Sequence, residues 1–170
     1  LRPKSNEMIS QEITNLTGIT NRMLAKEGLT WQIAYTKFNN WLLDVMKQLD
    51  NKKITIVSHN GEAFDFIFLK RIFSELNPLD IKTPNLKNII FIDTLLFSKK
   101  LIPNRVSYRQ GSLCQSFNIE VKGSHRAFND VLALEQLYLV LANNLNKELN
   151  NRRNVVHHPQ MILDYIHFKK

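Results

Sequence analysis

The 170-residue chain has the length of a single domain, and its 44% hydrophobic and 22% charged residues exclude disorder of the whole chain. Its one cysteine, Cys114, excludes a disulfide-stapled secreted module and a zinc ribbon. No apolar run approaches the roughly 20 residues that a membrane helix needs, so we expect no membrane partner. The net charge of +8 favours a polyanionic partner, most simply nucleic acid. Because no signal-peptide pattern opens the chain, we expect an intracellular protein.

Helix and strand patterns alternate along the first half of the chain. They predict, in order, two short helical pieces around a turn at 16–20, a helix over 31–49, a buried strand over 54–57 and a helix over about 64–76. The strand is predicted from a short run of β-branched apolar residues, and the helices from apolar residues at helical spacing.

The second half repeats this alternation. It predicts a buried strand over 89–92, a helix opened by Asp93-Thr94, a basic irregular stretch over 102–110, a short helix over 111–117 and a long helix over about 127–149. Short buried strands that alternate with helices indicate an α/β fold.

A polar stretch over 146–154 predicts a boundary near the C-terminus. We therefore expect a domain over 1–150 and a C-terminal tail over 151–170. The tail carries an apolar segment at 161–166, which is the one hint that the protein scaffolds a partner.

Two aspartates lie on apolar helix stripes, each at the N-terminal end of its helix. Asp65 precedes Leu69 by four residues, and Asp130 precedes Leu134 by four residues on the long helix. Burying an unpaired carboxylate is costly, so each needs a partner. Two interpretations stay open: both are helix caps, compensated by the helix dipole, or both bind Mg²⁺ or Mn²⁺, which prefer oxygen ligands.

His125 precedes Asp130 by five residues. On one continuous helix their side chains would diverge, so they converge only if His125 lies in the loop before the helix. A loop histidine beside a metal-binding carboxylate is placed to deprotonate a water. The alternative is an exposed loop histidine without a catalytic role.

Five segments resemble motifs of the DEDDh 3′→5′ exonucleases, especially the Trex-type and polymerase III epsilon-type group. Residues 58–65 (SHNGEAFD) resemble the second exonuclease motif, and residues 125–130 (HRAFND) the third, His-x₄-Asp. Residues 91–95 match the strand-end Asp-Thr of the family, 13–20 the segment after the third strand, and 111–113 the Ser-Leu before the third motif. Together these motifs are specific, because they follow one another in the family's order.

The resemblance implies an RNase H-like three-layer fold, with a mixed sheet flanked by helices, and two-metal phosphodiester hydrolysis at nucleic-acid 3′ ends. It implies that Asp65 and Asp130 are catalytic metal ligands for Mg²⁺ or Mn²⁺ and that His125 is the base. The substrate expected is DNA, with RNA as an alternative, and a polymerase or a second copy of the chain is a candidate partner.

The resemblance also implies nucleic-acid contacts. Asn60 matches a residue near the scissile phosphate, and the positions that pack on the terminal nucleotide are Leu16, Ile19 and Tyr108. Basic residues flank the expected site and are candidates for phosphate contacts: Arg105, Arg109, Lys122 and Arg126.

The first family motif, Asp-x-Glu on the first strand, has no match ahead of residues 13–20. The N-terminal strands are therefore expected to be absent, with Arg2-Pro3 at the end of the third strand. Three explanations stay open: a fragment of a complete exonuclease, a non-catalytic homologue that only binds nucleic acid, or strands supplied by another chain.

Overall fold

The computed structural model describes residues 1–3, 7–50, 52–121, 127–149 and 154–168. The predicted base His125 and the basic residues Lys122 and Arg126 lie outside the described residues. The chain divides into two compact units, residues 1–52 with 70–85 and residues 53–69 with 86–170. None of the described helices combines the length and apolarity that a bilayer crossing needs.

The first unit contains three helices that confirm the predictions for its sequence: α1 (Gln11–Thr17), α2 (Asn21–Glu27) and α3 (Trp31–Gln48). The first two begin where a hydroxyl side chain accepts a hydrogen bond from a free backbone N–H: Ser10 from Ile13 and Thr20 from Met23. On α3, Leu42 and Met46 are buried, and buried Asn39 donates from Nδ2 to the Lys82 carbonyl oxygen over 2.9 Å.

The expected strand end at Arg2-Pro3 is wrong, because residues 1–3 form no strand. Arg2 donates from its backbone to the Leu29 carbonyl, and from its guanidinium to the Leu24 and Ala25 carbonyls at the end of α2. The Leu24 carbonyl also accepts the Gly28 backbone N–H over 3.0 Å, and the arginine adds donors for carbonyls in the last turn of the helix, where partners are few.

The second unit is built on two parallel strands, β1 (Ile54–Ser58) and β2 (Ile89–Asp93), with Ile54 opposite Ile89 and Ser58 opposite Asp93. Between them along the chain lies α4 (Asp65–Leu76), and the division between the two units falls within this helix. After β2 follow α5 (Thr94–Leu101), α6 (Gln110–Ser116), α7 (Ala127–Glu148) and α8 (Pro159–His167). The α/β prediction is confirmed, and within the described residues the sheet has these two strands.

The core of the second unit lies between the sheet and its helices. α7 packs against β1, α5 and α6, and α8 packs against β2 and α5. Side chains that are fully shielded from solvent make up its centre: Ile92, Phe97, Leu113, Leu137, Leu141, Leu145, Val155 and Ile162.

The C-terminal segment is part of this core. Ile162 of α8 and Val155 of the short 3₁₀ helix before it are both 0% exposed. The apolar residues at 161–166 therefore pack inside the chain itself, and they no longer indicate a scaffolding surface for a partner.

The predicted stripe of α4 is shifted. Phe66, Leu69, Phe73 and Leu76 are buried, while Asp65 is exposed. The expectation that Asp65 is buried on the core-facing stripe is wrong. Phe66 occupies the inward position in the first turn, and the adjacent Asp65 lies about 100° away around the helix, on the side that faces solvent.

Replacing Ile162 with alanine should lower the free energy of unfolding by about 2–5 kcal/mol, because a fully buried side chain leaves a cavity. Chemical denaturation of the full chain measures this change. Ile67 is 56% exposed in the same unit. Ile67→Ala is therefore the matched control, with an expected change within about 0.5 kcal/mol. Equal effects of the two substitutions would contradict the packing of α8.

Candidate active site at the carboxyl ends of the strands

The site is organised by the Asp93 carboxylate at the end of β2, which is 3% exposed. Oδ1 accepts backbone N–H bonds from Asn60 and Leu95, both over 2.9 Å. Oδ2 accepts a third backbone N–H bond, from Glu62 over 3.0 Å. The buried charge is thereby compensated, and it ties the loop after β1 to the start of α5.

The loop after β1 has a backbone that only certain residues allow. Asn60 has φ +67°, in the left-handed region that asparagine tolerates. A Cβ at Gly61 would lie 2.6 Å from Phe66 Cζ and 2.7 Å from Ser58 Cβ, so no side chain fits there. This close approach brings the chain back onto the sheet and lets α4 begin at Asp65.

Asp65 lies in the first turn of α4, where a negative charge is favoured by the free N–H groups and the helix dipole. Its Oδ2 accepts a hydrogen bond from Ser58 Oγ, at the end of β1. This contact fixes one carboxylate oxygen, while the side chain remains exposed to solvent. The carboxylate therefore has a defined position and free acceptor capacity.

Asp130 lies in the first turn of α7 and is half-buried. It precedes buried Ala133 by three residues and buried Leu137 by seven, so it lies on the core-facing side of the helix, as predicted. Its carbonyl oxygen accepts a hydrogen bond from Gln110 Nε2 over 2.7 Å, which ties this turn to the start of α6.

His59 joins three segments of the second unit. Its Nε2 donates to the Tyr108 carbonyl oxygen over 2.8 Å, because a carbonyl only accepts, and its Nδ1 lies 2.9 Å from Thr94 Oγ1. The Thr94 hydroxyl also lies 3.1 Å from the Ser58 carbonyl oxygen. Burial lowers the pKa of His59 below its ordinary value of 6.5, against the Tyr108 hydrogen bond and the charge of Asp93, which raise it.

Tyr108 is engaged within its own loop. Its hydroxyl donates to the Ile102 carbonyl over 2.9 Å and accepts from the Arg105 backbone N–H over 3.2 Å. The half-buried ring packs against the core of the unit. In this position Tyr108 shapes the 102–109 loop, and its contact with a terminal nucleotide stays a prediction.

The structure places the remaining predicted residues in different surroundings. Leu16 and Ile19 belong to the first unit, where they are 56% and 42% exposed. Asn60 and Tyr108 line one groove of the second unit together with Arg109. Arg105 is half-buried, and the roles of His125, Lys122 and Arg126 stay predictions.

Three contributors were missed by sequence reasoning. Ser58 is the partner of Asp65, His59 holds the 102–109 loop, and Lys99 lines the same groove as Asn60. The Ser58 contact had a local signal, because seven residues around an Asn-Gly turn bring the chain back on itself. The other two depend on contacts between distant segments.

Oxygen ligands for a divalent cation are present in the second unit. Asp65 is exposed and Asp130 is half-buried, and carboxylate oxygens are the ligands that Mg²⁺ and Mn²⁺ prefer. Within the described residues, no three His, Cys, Asp or Glu side chains come together as a metal-binding group. Magnesium is commonly held by one or two carboxylates together with substrate phosphates, so the donor chemistry fits.

Comparisons with known proteins give one consistent result. The family model described as exonuclease, RNase T, matches residues 1–138. The chain is 28% identical over 144 residues to the PolC-type DNA polymerase III of Ureaplasma parvum, which covers 84% of the chain and 9% of that protein. It is 32% identical over 160 residues to the PolC-type DNA polymerase III of Mycoplasmopsis pulmonis, and this match covers 89% of the chain and 10% of that protein. The chain thus spans about a tenth of the length of these relatives.

Asp93→Asn should lower the free energy of unfolding by about 1–3 kcal/mol, because an amide NH₂ replaces one acceptor oxygen and leaves a backbone N–H unpaired. Urea denaturation measures the loss. Asp164→Asn, at an exposed position of α8, is the matched control and should be near neutral. An unchanged stability for Asp93→Asn would contradict the organising role of this carboxylate.

The His59 network predicts a pH dependence of stability. Folding lowers the pKa of His59. The contribution of neutral His59 to the free energy of unfolding is therefore complete above the pKa of the unfolded state, and it declines as the pH falls towards the pKa of the folded state. Between about pH 7.5 and about pH 5.5, the parent chain should lose more unfolding free energy than His59→Gln, which does not titrate. Identical losses, measured by denaturation at each pH, would refute this assignment.

Proposed function

Because the chain belongs to the exonuclease family, whose model matches residues 1–138, we propose that its second unit carries a metal-dependent 3′→5′ exonuclease site of the DEDDh type on an RNase H-like fold. The observation that carries the proposal is the loop held by Asp93, which positions Asp65 at the start of α4 beside the end of β1. Asp130 lies in the first turn of α7, which packs on the same strand.

In this proposal Asp65 and Asp130 hold the cations. The Ser58 hydroxyl orients the Asp65 carboxylate, and the Gln110 amide fixes the turn that carries Asp130. A bound divalent pair would activate water and stabilise the leaving 3′ oxygen. Two carboxylates are few for two cations. The proposal therefore requires further acidic ligands of the Asp-x-Glu kind, a motif that has no match ahead of residues 13–20.

The other site residues bind and orient the substrate in this proposal. His125 takes the proton of the attacking water, and Asn60 lies near the scissile phosphate. Arg126 neutralises phosphate charge, and the contact of Leu16 and Ile19 with a terminal nucleotide stays a prediction. Tyr108 supports these contacts through the loop that it shapes.

The substrate proposed is a DNA 3′ end within a polymerase assembly. This rests on the relatives, which are DNA polymerases of the PolC type and about ten times longer than the chain. A proofreading role follows from that context, because a 3′→5′ exonuclease removes the nucleotide that a polymerase has just added.

A second candidate is a homologue that binds nucleic acid without cutting it. The observation that favours it is the small number of acidic groups, since no three potential ligands converge within the described residues. The two candidates share the basic surface and differ in whether a divalent cation matters.

The deciding experiment incubates the 170-residue chain with 5′-labelled single-stranded DNA in Mg²⁺ or Mn²⁺, with EDTA as the blank. A cation-dependent ladder that shortens from the 3′ end would support the exonuclease proposal, and it would mean that the further metal ligands come from other residues of the chain or from a second copy of it. Asp130→Asn and Asp65→Asn should each lower the rate by more than the roughly 10–100-fold cost of losing an outer-shell metal partner. Loss of the ladder in these variants, with unchanged melting, supports the assignment.

Asp164→Asn is the matched control, because it removes one exposed carboxylate from the same unit and should leave cleavage unchanged. Full activity of Asp130→Asn would sink the exonuclease assignment. Binding without any cleavage by the parent chain would fit both the non-catalytic candidate and an exonuclease site that lacks its Asp-x-Glu ligands, and the same assay with an Asp-x-Glu segment supplied would separate the two.

A further inference from the structure

A groove of about 480 Å³ lies at the junction of the loop after β1, α5 and the start of α6, all within the second unit. Its polar and aromatic lining consists of six residues: His59, Asn60, Lys99, Tyr108, Arg109 and Gln110. Its volume is in the range of pockets that hold small molecules, about 300–1,000 Å³.

The groove carries two positive charges that can bind an anion. Lys99 and Arg109 are both exposed, and among the residues that the structure describes neither forms an ion pair. Within the described part of the chain, no carboxylate lines this groove. Two unpaired cations at a concave surface concentrate the field and attract anions.

The groove is connected to the segments that carry both candidate carboxylates. Asn60 belongs to the loop that leads into Asp65, and Gln110 donates from its side chain to the Asp130 carbonyl oxygen. A strand whose end lies at the carboxylates would therefore continue past these groove residues.

The groove is also preformed. Asp93 fixes the Asn60 backbone, and His59 holds the Tyr108 carbonyl, so the two walls are tied to the sheet. Arg109 follows Tyr108 directly and caps α6. A rigid groove loses little conformational freedom on binding, which favours affinity.

We propose that this groove binds the phosphodiester backbone of a single-stranded nucleic acid, with Lys99 and Arg109 each neutralising one phosphate. The inference rests on the proposed function for the identity of the ligand and adds the path of the strand. Lysine acts as a point charge on phosphate, whereas the arginine fork makes two parallel hydrogen bonds.

The test measures binding of 5′-fluorescein-labelled dT20 by fluorescence anisotropy in EDTA, where no cleavage occurs, over a series of salt concentrations. Each phosphate contact contributes about 0.7 to the slope of log affinity against log salt for single strands. Lys99→Ala/Arg109→Ala should therefore reduce the slope by about 1.4 and weaken binding about 25-fold at about 0.1 M salt.

The matched control is Lys53→Ala/Lys147→Ala, which removes two exposed charges of the same unit that lie outside the groove. It should leave the slope within about 0.3 of the parent value, less than half of one contact. The charge-conserving pair Lys99→Arg/Arg109→Lys should retain the parent slope.

The result that overturns the inference is an unchanged slope in Lys99→Ala/Arg109→Ala, or equal losses in this variant and the control. Absence of dT20 binding by the parent chain also overturns it. The exonuclease proposal is judged separately by metal-dependent cleavage, so either proposal can fail while the other stands.

Discussion

The second unit depends on one buried carboxylate. Asp93 ends β2, and its two oxygens accept backbone N–H bonds from Asn60, Glu62 and Leu95. A charge that is 3% exposed is tolerable only with such compensation. The bonds give the loop after β1 a fixed course, and that course determines where α4 begins and where Asp65 projects.

Local sequence was sufficient for most of the fold. The strands were predicted because both are short β-branched apolar runs, and the helices because their apolar residues recur at helical spacing. The stripe of α4 was misplaced because six of its first nine residues are apolar, so periodicity does not show which row faces inward. Arg2-Pro3 was misjudged because only the tertiary contact with the end of α2 decides its conformation.

The site was predictable only in part, because several of its contacts join residues that are far apart in the sequence. Asp65 and Asp130 were found because each stands at a helix start within a local motif. His59 meets Thr94 and Tyr108 across 35 and 49 residues, and no local pattern specifies such contacts. The groove likewise combines residues of the loop after β1, α5 and the start of α6, so its charge becomes visible only once the chain is folded.

The groove and the carboxylates have separable physical roles. Phosphate neutralisation by Lys99 and Arg109 is a property of charge and weakens with salt, whereas holding a divalent cation requires oxygen ligands in sufficient number. An exonuclease and a non-catalytic binder of the same fold would therefore share the groove and its salt dependence. Nucleic-acid affinity alone does not distinguish them, because the distinction lies in what Asp65 and Asp130 hold, which only a metal-dependent reaction reveals.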